Sequence, residues 1–230
     1  MRLTIVLIAA VLVLAAAGAA SLAAPEPAAS PELVRIALPD AGGIEIAPPP
    51  PRYERVRWQR STAVGTYTAG GLVDGVRVPA EGRHFYTWDP VKRRSPNRWW
   101  RRYGTDRLVR AVLAVASEHA AAHPGAARLA VGDLSRPRGG DFGIRFGPIG
   151  HASHQNGLDV DIYYPRADGR ECAPRFASEI DPDLSQELVD RFLARGAQVI
   201  FVGPNTGLTG PPHRVQALVN HDNHLHVRLP

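Results

Sequence analysis

Two short segments hold five of the chain's nine histidines, and they constrain the fold more than any other feature. They are His151-Ala-Ser-His154-Gln-Asn-Gly157-Leu-Asp159-Val-Asp161 and His221-Asp-Asn-His224-Leu-His226. In a strand, alternate side chains share a face, so His224 and His226 point the same way, as do Asp159 and Asp161. His221 falls in the turn leading into the second strand. His154 closes a loop, and Gly157 lets the backbone turn between it and the aspartates. An imidazole from the loop, a carboxylate from one strand and an imidazole from another make the three-ligand pattern of a catalytic zinc site, with a fourth position left for water. Two other readings of the cluster are a hydrogen-bonded polar patch and a closed structural zinc site. A closed site uses four ligands, whereas these segments offer five histidines and two aspartates. His84, His119, His123 and His213 stand alone and are read as surface or satisfied core residues.

The rest of the composition narrows the metal chemistry. Cys172 is the single cysteine, which excludes a disulfide framework and a cysteine-based zinc finger. Any metal must be held by histidines and carboxylates. Hydrophobic residues make up 44% and charged residues 21%, so the chain can bury a core. Lys+Arg number 27 against 22 Asp+Glu, a balance that favours anionic partners.

Residues 3–25 carry no charge and follow Arg2. The apolar stretch 3–17 and the small residues after it predict a secretory signal over 1–24, or an uncleaved anchor tethering the chain through residues 3–24. Either places the remainder outside the cytoplasm, in the periplasm or cell envelope or secreted. Residues 25–57 are rich in proline and read as an extended linker. Residues 58–230 are the expected domain.

Within that domain Thr105-Asp106 starts a helix, Leu108, Val109, Val112, Leu113 and Val115 follow at helical spacing, and His123-Pro124-Gly125 ends it. Residues 129–131 fit a buried strand, and residues 135–153 a long loop of the kind that is usually functional. Residues 158–164, 198–202 and 225–229 read as strands. Ser185 is placed as the cap of a helix running through Ala194, and 212–219 as a short helix. Helices and short strands mix without a βαβ rhythm, so the expected class is α+β around a small, mainly antiparallel sheet with flanking helices and long loops.

The run Gly132-Asp-Leu-Ser-Arg-Pro-Arg-Gly-Gly140, the motif from Gly150 to Asp161, and His221-Asp-Asn-His224-Leu-His-Val-Arg-Leu229 together resemble the penicillin-insensitive murein endopeptidases. The likeness extends to residues 65–71, 79–82 and 95–98. The wider zinc metallopeptidase group, with lysostaphin-type enzymes, D-Ala-D-Ala peptidases and hedgehog-like domains, shares His-x6-Asp followed by His-x-His. The resemblance implies a hedgehog/D-Ala-D-Ala-peptidase-like zinc domain with one Zn²⁺ on His154, Asp161 and His226. It implies catalytic roles for His221, as the base, and His224, beside the metal. His151 matches a further histidine of this branch, either orienting the ligands from behind or belonging to an auxiliary metal site. Family members keep several cysteines, and this chain departs from them in having Cys172 alone.

Asp159, from its place on the strand, is read as orienting a ligand histidine. Arg136 and Arg138 are candidates for holding a substrate carboxylate. Residues 132–140 lack Gly-Lys-Ser/Thr, which excludes a phosphate-cradling loop. The basic and aromatic run 92–102 suggests contact with an anionic wall or membrane surface, or charges in solvent with the tryptophans in the core; nucleic acid is not an expected partner. The implied activity is hydrolysis of peptide cross-links in peptidoglycan by an exported enzyme, with peptidoglycan peptides as partners. A D-Ala-D-Ala carboxypeptidase and a non-catalytic, zinc-stabilised wall-binding domain are the alternatives.

Overall fold

The structure, a computed structural model, describes residues 53–147 and 150–230. The expected signal or anchor at 1–24, and residues 25–52 of the expected linker, lie outside the described residues. The strands are β1 (Thr62–Gly65), β2 (Gly70–Val73), β3 (Val76–Arg77), β4 (Phe85–Thr87), β5 (Tyr103–Gly104), β6 (Leu129–Val131), β7 (Asp159–Tyr163), β8 (Val199–Val202), β9 (Val215–Ala217) and β10 (His224–Arg228). The helices are α1 (Asp106–Ala122), between β5 and β6, and α2 (Pro182–Ala194), between β7 and β8.

Six strands form one sheet in the order β4-β6-β7-β10-β8-β9, and β1-β2 and β3-β5 form separate pairs. The three central junctions of the large sheet are antiparallel. The outer two, β4–β6 and β8–β9, are parallel. This is the expected α+β class with a mainly antiparallel sheet.

Alternation along β7 and β10 gives that sheet two chemically different faces. Val160, Ile162, Leu225 and Val227 are fully buried in the main core, with Leu108, Val112 and Val115 of α1 and Leu188, Val189 and Phe192 of α2. Asp159, Asp161 and Tyr163 point the other way and pair in register with Arg228, His226 and His224. One face is thus the hydrophobic floor under the helices, and the other carries the site.

Helix α1 starts and stops where the sequence places it. Thr105 accepts the Leu108 N–H at 3.2 Å, and the His123 N–H bonds the His119 carbonyl. Helix α2 begins earlier than expected. Asp181 caps it by accepting the Leu184 N–H at 3.0 Å, with Pro182 in the first turn, where its missing N–H costs nothing. Ser185 is inside the helix, its hydroxyl donating to the Asp181 carbonyl. The helix expected over 212–219 is absent. Arg214 and Val215 both bond the Pro211 carbonyl in a turn, and β9 then pairs parallel with β8, Ile200 opposite Val215. Pairing on the sheet edge supplies backbone partners that so short a helix could not.

Two further features sit differently from the expectation. The basic and aromatic run is not a continuous surface patch, because Arg98 and Arg101 pair with buried Asp89 and Asp133. Trp100 packs against Phe142 and Phe146, while Trp99 is exposed. Residues 53–57, assigned to the linker from sequence, reach the domain: Glu54 pairs with Arg77, and Val56 packs on the core.

Candidate metal centre

His154 ends the long loop in the left-handed region, with φ +64°, a conformation that costs an L residue about 1–2 kcal/mol. Its N–H donates to Asp159 Oδ2 at 3.0 Å, which helps hold it there. Gly157 follows with φ +77°, where a Cβ would meet Leu72 at 2.8 Å. This tight passage brings the loop back into β7.

Three atoms converge above the sheet. His154 Nε2 lies 3.1 Å from His226 Nδ1 and 3.2 Å from Asp161 Oδ1, and His226 Nδ1 lies 3.2 Å from Asp161 Oδ1. The partners fix the tautomers. His154 Nδ1–H donates to the Leu134 carbonyl at 2.8 Å, and His226 Nε2–H donates to Asp159 Oδ1 at 3.2 Å. In the neutral rings, therefore, both facing nitrogens are lone pairs, and the third atom is a carboxylate oxygen. Three acceptors at such distances repel unless a proton or cation sits among them. Ligands about 2.05 Å from a tetrahedral zinc lie about 3.3 Å apart, so the donor set fits that ion in chemistry and in size.

The electrostatics point the same way. Burial lowers the His226 pKa, but Asp159 and Asp161 outweigh it and raise it to about 9. Burial likewise opposes ionisation of Asp161, yet His154, His151 and His224 hold its pKa well below the carboxylate range. His154 is lowered by burial. The centre favours one positive charge between its nitrogens and its carboxylate.

Asp159 works from behind. It is fully buried and accepts from Arg228 Nε at 2.6 Å, besides His226 and the His154 backbone. Burial opposes its charge, but the hydrogen bonds from His226 and Arg228 and the nearby His154 and His226 rings hold its pKa down. Asp159, read from the sequence as orienting a ligand histidine, is placed beside His226 and Arg228.

His151 is also brought in. Its Nε2 is 3.7 Å from Asp161 Oδ2, and among the described residues His151, His154 and Asp161 present ligand atoms within 4.8 Å of one another. Two overlapping sets thus share His154 and Asp161. The set completed by His226 has the tighter spacing, and His151 Nε2 is already engaged, 2.8 Å from Asp133 Oδ2. Asp133, which sequence reasoning left without a role, is buried and also binds Arg101 Nε at 2.7 Å and Asn97 Nδ2 at 2.9 Å. Burial opposes its charge, but His151 and Arg101 lower its pKa to about 2. The available signal was a carboxylate separated by one residue from a buried strand, in a run read for its glycines, its arginines and its family resemblance.

His224 lies one register step from His226, with Nε2 3.9 Å from Asp161 Oδ1 and Nδ1 2.7 Å from Asn223 Oδ1. Burial lowers its pKa to about 4. The His221 ring packs 4.7 Å from that of His224 and 6.2 Å from that of His226, and its Nδ1 bonds the Val219 carbonyl. A cleft of about 750 Å³ opens beside the centre, lined among others by His151, Asp161, Tyr163 and His224. Arg136 and Arg138 do not line it. Arg136 donates to the Asp141 carbonyl and stacks on Phe146 within the loop, while Arg138 lines a separate groove beside β2. The cleft's arginines are Arg93 and Arg175.

Residues 63–191 match the sequence model of a family described as penicillin-insensitive murein endopeptidase. The matched stretch holds His151, His154, Asp159 and Asp161 and ends before β10. Proteins of that name are similar to the chain. One from Haemophilus influenzae is 26% identical over 196 residues, covering 74% of this chain and 64% of that protein. One from Salmonella heidelberg is 27% identical over 210 residues, covering 75% and 70%. One from Escherichia coli is 30% identical over 114 residues, covering 46% and 36%. The chain therefore spans between about a third and about two thirds of the length of these relatives.

Proposed function

The chain belongs to the penicillin-insensitive murein endopeptidase family, and from that premise we propose that it is an exported, zinc-dependent endopeptidase that hydrolyses peptide cross-links of peptidoglycan. The observation that carries the reading is the convergence of two imidazole lone pairs and one carboxylate oxygen, all within 3.2 Å of one another, at the base of an open cleft. His154, Asp161 and His226 would hold the ion, within a domain of the hedgehog and D-Ala-D-Ala-peptidase type. Bound zinc supplies a Lewis acid and an acidified water at its open position.

The chain's own residues do the rest. Asp159 keeps the His226 proton on Nε2, which leaves Nδ1 as the atom that would hold the ion. His151, held by Asp133, stands beside Asp161 as an orienting group or as a ligand of an auxiliary ion. His221 takes the proton of the attacking water and returns it to the leaving amine. No glutamate follows Glu187 in the chain to do this instead. His224 steadies the developing oxyanion. No serine nucleophile takes part, so a serine-directed β-lactam has no target here.

Among the described residues no helix is long and apolar enough to cross a membrane. Export rests on residues 1–24, as a cleaved signal or a tether, with 25–52 as the linker to the domain. The test is digestion of purified cross-linked muropeptide dimers with mass analysis. Splitting of dimers into monomers supports the endopeptidase. Loss of only a terminal D-alanine assigns a carboxypeptidase. No cleavage by the zinc-loaded protein assigns the wall-binding alternative.

A further inference from the structure

The cleft runs away from the metal centre across the strands. Tyr86, Ala130, Tyr163 and His224 are register neighbours on β4, β6, β7 and β10; Tyr163 and His224 line the cleft, whereas Tyr86 and Ala130 meet it only through Trp88 and Ala173, which pack on them. From His224 to Tyr86 is three strand spacings, about 14 Å at ~4.8 Å each. Trp88 and Ala173 line the cleft together with Tyr163. The segments that supply Trp88 and Ala173 also supply its two arginines, Arg93 and Arg175.

Both backbones are fixed while both guanidiniums are left open. Arg93 lies in a turn after Asp89, whose buried carboxylate accepts the Val91 and Lys92 N–H groups at 2.9 Å each. Its own φ is +50°, unfavourable for a residue with a Cβ, so the turn imposes this presentation. The Arg175 N–H is held by Glu179 at 2.6 Å. Neither side chain meets a carboxylate among the described residues, whereas Arg98, Arg101, Arg128 and Arg166 are all paired. Among the described residues the cleft's one acidic lining residue is Asp161, which faces the histidines. Phe176, next to Arg175, is 62% exposed on the same rim, an apolar surface that a bound chain would cover.

We propose that Arg93 and Arg175 form an anion subsite that receives a free carboxylate of the bound peptide and selects it over the amidated form. An extended chain rises about 3.3 Å per residue, so about four residues span the row. Arginine side chains reach back several ångströms, which puts the carboxylate two to four residues from the scissile bond. Two guanidiniums and a carboxylate form charge-assisted hydrogen bonds that a neutral carboxamide cannot match. This inference rests on the peptidase reading of the cleft, and its test separates the two.

The test compares a cross-linked peptide dimer bearing free carboxylates with the same dimer amidated, for wild type and for the R93Q/R175Q double variant. Calorimetry in parallel follows binding of the free and amidated monomeric peptides, which needs no turnover. Wild type should prefer the free-carboxylate dimer by about tenfold or more in kcat/KM and bind the free monomer tighter by a similar factor. In the double variant both preferences should fall to within about twofold. Both arginines are exposed, so its thermal midpoint should match wild type. A wild type without preference in either assay, or a double variant that keeps it, overturns the subsite. Selective binding without cleavage of either dimer overturns the peptidase reading and leaves the subsite standing.

Discussion

Replacing Asp159 with asparagine keeps the shape of the side chain and removes its charge. Three donors converge on this buried carboxylate: Arg228 Nε, His226 Nε2 and the His154 N–H. If the asparagine oxygen takes the place of Oδ1, its NH₂ faces the His154 N–H, donor against donor. If it flips, Arg228 and His226 both lose their acceptor. At least one buried donor is left unmatched in either case, and buried Arg228 loses its counter-ion. Removing one partner of a buried ion pair costs about 3–5 kcal/mol of folding stability. The His226 tautomer is also released, since nothing anionic then holds its proton on Nε2. Losing such an outer partner weakens metal affinity by about 10–100-fold, or about 1.4–2.7 kcal/mol. Zinc affinity should be measured by competition with a chromogenic chelator, well below the variant's melting temperature, with circular dichroism confirming the fold. Arg228→Met separates the two effects: it sheds stability but leaves Asp159 on His226, so it should keep most of the zinc affinity. A folded Asp159→Asn protein that binds zinc within about threefold of wild type would refute the orienting role.

The two overlapping ligand sets make opposite predictions for metal content: His226→Ala should lose the bound zinc, and His151→Ala should keep near one equivalent by elemental analysis, the reverse pattern favouring His151 as the third ligand. His221→Ala should keep its zinc and fold but cleave dimers about a hundredfold more slowly or worse, the low end for loss of a general base; wild-type turnover removes His221 from that role. His119 supplies a pH dependence away from the metal. Burial, with His123 and Arg191 nearby, lowers its pKa, so the unfolded chain takes the proton first. Its contribution is full above about 6.5 and declines as pH falls below that value. Between pH 7.5 and 5.5 wild type should lose up to about 1.4 kcal/mol more than His119→Leu in urea unfolding, and equal losses would show that His119 does not contribute.

What was legible in the sequence follows from where the information is local. The α1 caps are local, a Thr105 side-chain bond three residues long and a His123 backbone bond four residues long, so Thr105 and the His123-Pro124-Gly125 stop could be read directly. The alternation in 159–163 and 224–228 showed which side chains share a face. It did not show that β7 and β10 are neighbours in the register that sets His226 opposite Asp161; that pairing spans 65 positions (226 − 161) and is decided by the whole sheet. Strand β9 escaped notice because its partner β8 dictates it, and the α2 start because Asp181-Pro182 competed with Ser185. The roles of Asp133 and Arg101 could not be seen for the same reason: they become the support of His151 only when β6 lies beside β7. Arg136 and Arg138 were singled out from the loop's composition, yet the loop folds them onto its own Asp141 carbonyl and Phe146, and into a separate groove.

The most direct test of the central claim is a zinc titration of metal-stripped protein, with hydrolysis of cross-linked muropeptide dimers as the readout. The rate should start near zero, rise with added zinc and reach its plateau at one equivalent per chain. Full activity in the stripped protein, or intact dimers at zinc saturation, would contradict the account.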